Sequence, residues 1–132
     1  MLLPITLTIS AAAAILNIWL GLRCARVRAA KKIFLGSGDD PTMLAKMRAQ
    51  ANFVEYTLFV LILLALLEHA IGSKTWLWAA GIAYLLGRIV HVFGLDRPGL
   101  NWMRGVGIGV TIVVTLALAA YAIYLPYAVL GI

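Results

Sequence analysis

Two long segments without a charged side chain constrain this chain more than any other feature. Residues 1–22 contain no Asp, Glu, Lys or Arg, and neither does the segment from Gly105 to Ile132. A membrane-spanning helix needs about 20 consecutive apolar residues, so each segment is long enough to cross a bilayer. Both segments are therefore predicted to be membrane spans.

The composition agrees with this interpretation. Of the 132 residues, 64% are hydrophobic and 12% are charged, whereas soluble domains carry about 25% charged residues. So little polar material cannot cover a water-facing surface, which excludes a soluble globule, a disordered chain and a coiled coil. The length allows one domain.

Three groups of turn-forming residues divide the chain into four helices: Gly36–Pro41, Gly72–Lys74 and Asp96–Gly99. Asp40 is expected to cap the second helix, with Pro41 in its first turn. The sequence thus predicts an all-α integral membrane protein, a single four-transmembrane-helix bundle over residues 1–132. The predicted spans are about 3–22, 42–70, 75–95 and 102–130.

The basic residues are distributed very unevenly along these spans. Only Lys74 lies at one end of the predicted bundle, and the other ten Lys and Arg residues lie at the opposite end. By the positive-inside rule, both termini are expected on the non-cytoplasmic side. The positive charge is thus interpreted as a mark of the cytoplasmic membrane surface and its lipids, and no nucleic-acid partner is predicted.

Ionisable residues also enter the second and third spans, whose charge-free runs are too short to cross a hydrocarbon core about 30 Å thick. Arg48, Asn52 and Glu55 are spaced i, i+4, i+7 on the second helix, so they share one stripe, which Tyr56 flanks. Intramembrane ionisable residues indicate a functional site by default.

The remaining members of this polar group lie on the last two helices. Arg88 and His91 share a face of the third helix, and Arg104 begins the fourth. The excess of guanidinium groups over acids suggests an anionic ligand. The alternative is structural: Arg48–Glu55 or Arg88–Glu55 ion pairs would hold the bundle together, with His91 hydrogen-bonded between helices.

At these residues the chain resembles the MAPEG family, the membrane-associated proteins in eicosanoid and glutathione metabolism. Residues 48–56, Arg-Ala-Gln-Ala-Asn-Phe-Val-Glu-Tyr, are similar to its second-helix signature. The Gly-Ser-Gly-Asp-Asp-Pro turn at 36–41 and the Leu-Leu-Glu at 66–68 resemble the bacterial branch. Gly-Arg-Ile-Val-His at 87–91 is similar to the third helix of the prostaglandin E synthase member.

The resemblance implies a homotrimer in the bacterial inner membrane, with glutathione as co-substrate in a cytoplasm-facing cleft between subunits. It implies a transferase or peroxidase acting on lipophilic small molecules, with Arg104 activating the thiol. The implied glutathione-binding residues are Arg48, Asn52, Glu55, Tyr56, Arg88, His91 and Arg28, with Arg26 as an alternative to Arg28. The chain departs from the prostaglandin synthase at Leu95 and Gly105, where that enzyme has a tyrosine and a serine, so isomerase activity is not expected.

Two other functions stay open. A member of the same family could bind a lipid or a partner protein without chemistry. A small four-span drug exporter has a similar length, but the uncharged first span and the strong basic asymmetry oppose that interpretation. No metal is predicted, because one His and one Glu on different helices fall short of a ligand set and Cys24 is the single cysteine.

Overall fold

Four long helices make up most of residues 2–131, the part of the chain that the computed structural model describes. They are α1 (Pro4–Lys31), α2 (Pro41–Ile71), α3 (Thr75–Leu95) and α4 (Trp102–Leu130). Each helix is long and apolar enough to cross a membrane, and no strand occurs in the described residues. The predicted all-α four-helix architecture is confirmed.

Consecutive helices run antiparallel, which gives the bundle two chemically different ends. The basic end contains the C-terminus of α1, the N-terminus of α2, the C-terminus of α3 and the N-terminus of α4. The distal end contains the other four helix termini. Contacts between Arg23 and Asp96 at the basic end, and between Ile5 and Glu68 at the distal end, fix this arrangement.

Helix starts at the basic end have side-chain caps. The Asp40 carboxylate accepts a hydrogen bond from the Met43 backbone N–H at 2.8 Å, as predicted, and Pro41 occupies the first turn. The Lys31 ammonium lies 2.5 Å from the same carboxylate. The hydrogen bonds from the Lys31 ammonium and from the Met43 N–H hold the pKa of the Asp40 carboxyl below its usual value. Asn101 caps α4 by accepting from the Arg104 N–H at 3.2 Å.

The first helix continues well past its predicted span, because the basic segment expected as a loop is helical through Lys31. Arg, Lys and Ala are good helix formers, and the arginines find partners along the bundle. The Arg23 guanidinium forms an ion pair with Asp96 and lies 4.9 Å from the Trp19 ring centroid. Asp96 also pairs with Lys46 at 2.6 Å, so the α3–α4 connection is tied to both α1 and α2.

The core consists of two apolar clusters between the helices. Tyr84 and Phe53 are the buried aromatic side chains in them. The Tyr84 hydroxyl lies 2.8 Å from the Thr57 hydroxyl, which itself donates to the Phe53 carbonyl. The α2–α3 contact thus satisfies its hydroxyls within the protein, as hydrocarbon surroundings demand.

One buried carboxylate joins α1 to α2 at the distal end. Glu68 is 1% exposed, and its oxygens accept from the backbone N–H groups of Ile5 (2.9 Å) and Thr6 (2.8 Å). They also accept from the hydroxyls of Thr6 (2.8 Å) and Ser73 (2.7 Å). Since α1 has no side-chain cap of its own, Glu68 satisfies its first free N–H groups and places a negative charge at the positive end of the helix dipole.

The substitution Glu68→Gln should lower the free energy of unfolding by about 1–3 kcal/mol, because a carboxamide nitrogen cannot accept and a buried donor loses its partner. Thermal unfolding in detergent, followed by circular dichroism, measures the change. Glu55→Gln is the matched control, since Glu55 is an exposed carboxylate on the same helix. Equal Tm values for wild type and Glu68→Gln would contradict the assigned role.

Candidate functional site

The polar stripe of α2 lies on the outer surface of the bundle. Arg48 and Glu55 are exposed, and Asn52 and Tyr56 are half-buried. Together with Phe59 they line a shallow depression of about 460 Å³. The ionisable residues that the sequence singled out on α2 therefore share one open surface.

The N-terminus of α4 brings a second arginine to this surface. Arg48 and Asn52 of α2 face His91 and Leu95 of α3 and Arg104 and Ile108 of α4 around a cavity of about 220 Å³. We call this cavity the arginine groove. Nη1 of Arg104 donates to the Gly99 carbonyl at 3.2 Å, which anchors the guanidinium to the α3–α4 connection.

Arg88 lies behind the arginine groove and does not line it. Its side chain is 0% exposed, and Nη2 donates to Asn52 Oδ1 at 2.6 Å while Nη1 donates to Thr111 Oγ1 at 3.3 Å. The guanidinium also lies 5.8 Å from the Tyr56 ring centroid. Because Oδ1 of Asn52 is engaged by Arg88, the amide nitrogen of Asn52 is left free as a donor.

The charge of Arg88 is not neutralised by a carboxylate. The ion pairs found in residues 2–131 involve Asp40 and Asp96 only, so neither the Arg48–Glu55 pair nor the Arg88–Glu55 pair forms there. An uncompensated buried cation raises the positive potential around it, because the low-dielectric interior screens it weakly. The arginine groove is thus electrostatically suited to an anion.

His91 connects α3 to α4, as the structural alternative expected. It is 7% exposed, and Nδ1 lies 3.3 Å from the backbone carbonyl oxygen of Arg104. The helices approach closely here because Gly107 faces His91 and Gly94 faces the Arg104 backbone, with no room for a Cβ atom at either glycine. These contacts set the position of Arg104 relative to α3.

Arg28 lies on the other side of α2, away from Arg104. It lines a groove of about 540 Å³ between α1 and α2, together with Cys24, Gln50 and Glu55. Its guanidinium donates to the Gly36 carbonyl at 3.0 Å. We call the groove that Arg28 lines between α1 and α2 the basic α1–α2 groove. Within one chain, Glu55 borders both this groove and the depression over the α2 stripe.

Sequence reasoning missed two residues that shape the site. Thr111 holds Arg88 from α4, and Gln50 contacts Cys24 across the α1–α2 packing, with Sγ 3.8 Å from Oε1. Thr111 lies in the apolar fourth span, where a hydroxyl usually satisfies its own helix, as it also does here by donating to the Gly107 carbonyl. The spacing of polar residues along the helices predicts neither the Thr111–Arg88 contact nor the Gln50–Cys24 contact.

Comparison with known proteins shows the family of this chain. A sequence profile described as MAPEG family matches residues 6–124. The curated relatives include two proteins named "Inner membrane protein YecN", from Escherichia coli strain K12 and from E. coli O6:H1. Each is 29% identical over 80 residues, which are 60% of this chain and 60% of the relative. The matched region thus spans 60% of the length of these relatives.

The helices and the cationic groove define a four-helix membrane protein with a polar site at one end of its bundle. The chain belongs to the MAPEG family. The resemblance seen in the sequence around residues 48–56 is thereby confirmed.

The α3–α4 contact that positions Arg104 can be tested with two neighbouring glycines. Gly107→Ala should lower the free energy of unfolding by about 1–3 kcal/mol, since the new methyl group would overlap the His91 backbone. Gly109→Ala is the control, because open space surrounds Gly109 and Ala favours a helix by about 0.5–1 kcal/mol. Thermal unfolding in detergent measures both. Equal Tm changes in the two variants would contradict the close contact.

Proposed function

We propose that this protein is a membrane-bound glutathione-dependent transferase or peroxidase that acts on lipophilic electrophiles. The observation that carries the proposal is the gathering of Arg48, Arg104 and the buried Arg88 around Asn52, with no carboxylate paired to Arg88 in the described residues. Membership of a family named for glutathione metabolism supports the same ligand.

The charges of glutathione match those of the site. Glutathione carries two carboxylates, one ammonium and one thiol. Guanidinium groups bind carboxylates through two parallel hydrogen bonds, which suits Arg48 and the exposed edge of the arginine groove. Glu55, exposed and without an ion-pair partner among residues 2–131, is free to receive the ammonium. The Asn52 amide N–H adds an uncharged hydrogen-bond donor on the same stripe, between Arg48 and Glu55.

Arg104 is the candidate catalytic residue. A thiol of pKa about 8.5 is mostly protonated at neutral pH, and a nearby guanidinium favours the thiolate, commonly by about 1–3 pKa units. The thiolate sulfur then attacks the electrophile, forming an S–C bond as the leaving group departs with its electron pair. With a hydroperoxide, the thiolate sulfur attacks the terminal oxygen and the O–O bond breaks. The departing alkoxide takes a proton from water and leaves as the alcohol, and the glutathione sulfur becomes a sulfenic acid. The thiol of a second glutathione attacks this sulfenic sulfur, forming the disulfide and releasing water.

A second copy of the chain would complete the site. Arg28 and Arg104 line separate grooves on different faces of α2 in one chain, and a neighbouring subunit packed against this surface would bring its own Arg28 to the arginine groove. Because the MAPEG family resemblance implies three subunits, we propose a homotrimer with glutathione between subunits. We also propose the bacterial inner membrane as its location, with the basic end and the site facing the cytoplasm. The relative's name supports this location, and the ten-to-one distribution of basic residues supports this orientation.

Glutathione should protect the purified protein against heat, because a ligand that binds only the folded state raises its stability.

Arg48→Ala should weaken glutathione binding about ten-fold in calorimetry, since about 1.4 kcal/mol is lost with one charged hydrogen-bond donor. Arg97→Ala is the control, as an exposed arginine of the same end outside the arginine groove. Absence of any heat protection in the wild type would refute the proposal.

Arg104→Ala should lower turnover about 10²–10³-fold while glutathione affinity stays within a few-fold, because a charge that stabilises the transition state is removed. Arg104→Lys should recover part of the rate, since an ammonium does not reproduce the guanidinium fork. Conjugation of 1-chloro-2,4-dinitrobenzene measures turnover, and ultraviolet thiolate absorbance reports the bound thiol. Full turnover and a full thiolate signal in Arg104→Ala would refute this role and leave Arg48 and His91, which line the same groove, as the candidates. Glutathione binding without conjugation or peroxidase activity in the wild type would favour a non-catalytic family member.

A further inference from the structure

A further cavity lies at the basic end of the bundle, between the start of α2 and the α3–α4 connection. It measures about 250 Å³, and its polar lining comes from Thr42 and Lys46 of α2 and from Asp96 and Arg97 of the connection. We call it the end cavity. Because liquid water takes about 30 Å³ per molecule, the end cavity has room for a phosphate group.

The end cavity faces away from the polar stripe of α2. Lys46 precedes Arg48 by two residues, which places the two side chains about 200° apart around the helix. The end cavity and the arginine groove have one lining residue in common, Leu95. A neighbouring subunit packed against the stripe around Arg48 would therefore leave the end cavity uncovered.

Hydrogen-bond donors outnumber acceptors among the side chains of the end cavity. Asp96 supplies its one carboxylate, which is already paired with both Arg23 and Lys46. The Lys46 ammonium donates to Asp96 Oδ1 at 2.6 Å and keeps two further N–H donors. Arg97 is exposed, and its guanidinium forms no ion pair with any of residues 2–131. The unmatched cation and the spare donors suit a ligand that carries a negative charge and accepts hydrogen bonds.

The length of α3 places the end cavity at the depth of the phospholipid phosphates. The 21 residues of α3 span about 32 Å, close to the hydrocarbon thickness of about 30 Å. The end cavity adjoins the C-terminal residue of α3, Leu95, so it lies where hydrocarbon meets the headgroups. Leu100 and Trp102, which follow on the same side of the bundle, are 93% and 67% exposed, and Trp is typical of this interfacial layer. The depth therefore favours a lipid headgroup as the ligand.

We propose that the end cavity binds the phosphate of an anionic phospholipid such as phosphatidylglycerol. The Arg97 guanidinium holds two phosphate oxygens through parallel N–H donors, and the Lys46 ammonium and the Thr42 hydroxyl donate to the same group. A zwitterionic headgroup is disfavoured, because its own cation would find no unpaired carboxylate in the cavity. A soluble phosphate ester offers the same phosphate chemistry, so the experiment includes both sources.

Calorimetry on the full chain in detergent, without glutathione, compares four probes. Dioctanoyl phosphatidylglycerol should bind most tightly. Dioctanoylglycerol has the same tails without the phosphate and should bind about 30-fold more weakly, since two basic residues lose their partner. Dioctanoyl phosphatidylcholine, which has no net charge, should also bind more weakly. Glycerol 1-phosphate represents the soluble source, and an affinity equal to that of the lipid would overturn the assignment to a lipid headgroup.

Two substitutions locate the phosphate in the end cavity. Arg97→Gln should weaken binding of dioctanoyl phosphatidylglycerol about five-fold, the contribution of one basic residue to an anionic lipid. Arg26→Gln is the matched control, because it removes the same charge from an exposed arginine of the basic end outside the cavity, and should leave the affinity unchanged. Thr42→Val keeps every charge and should weaken binding about two- to ten-fold, the range for one hydrogen bond.

Equal affinities of Arg97→Gln and Arg26→Gln for the lipid would overturn the proposal, because the lipid would then respond only to the total charge of the basic end. The proposal does not depend on the proposed function. Arg48→Ala should leave lipid binding unchanged while it weakens glutathione binding. Lipid binding without heat protection by glutathione would therefore refute the proposed function alone, and heat protection without lipid binding would refute the lipid site alone.

Discussion

Hydrocarbon surroundings leave polar groups no water to bind, and this constraint governs the whole structure. The backbone meets it by forming four helices. The buried side chains meet it through specific partners: Glu68 accepts four hydrogen bonds at the distal end, and the Tyr84 hydroxyl pairs with that of Thr57, which donates to the Phe53 carbonyl. At the basic end Asp96 joins Arg23 and Lys46, so three parts of the chain are held at one level.

The hydrogen-bonding groups of the buried Arg88 guanidinium are only partly satisfied. Its guanidinium is held by two uncharged oxygens, those of Asn52 and Thr111, and its Nε has no partner in the described residues. Burying a cation this way costs stability. In return, the Asn52 amide is oriented and the arginine groove is made more positive, both of which favour an anionic ligand. The site thus combines a rigid buried cation with two arginines that reach the surface.

Much of the fold was readable from local patterns. The uncharged segments predict the outer spans, and Asp40 followed by Pro41 predicts the start of α2, because capping depends on neighbouring residues. The extension of α1 to Lys31 was missed, since its basic residues look like a loop until Asp96 and Gly36 are seen to pair with them. Helical spacing likewise placed Arg48, Asn52 and Glu55 on one surface, but it carries no information on which other helix faces them.

The sequence by itself determined that the chain is a four-helix membrane protein of the MAPEG family, because hydropathy, caps and a nine-residue signature are properties of consecutive residues. Only the tertiary structure decided that Arg104 joins Arg48 in one groove, that Arg28 lies across α2 from them, and that Arg88 is buried behind Asn52. These relations depend on how closely helices far apart in sequence approach one another. Gly94 and Gly107 allow α3 and α4 to approach closely, but their role is visible only in the packed structure.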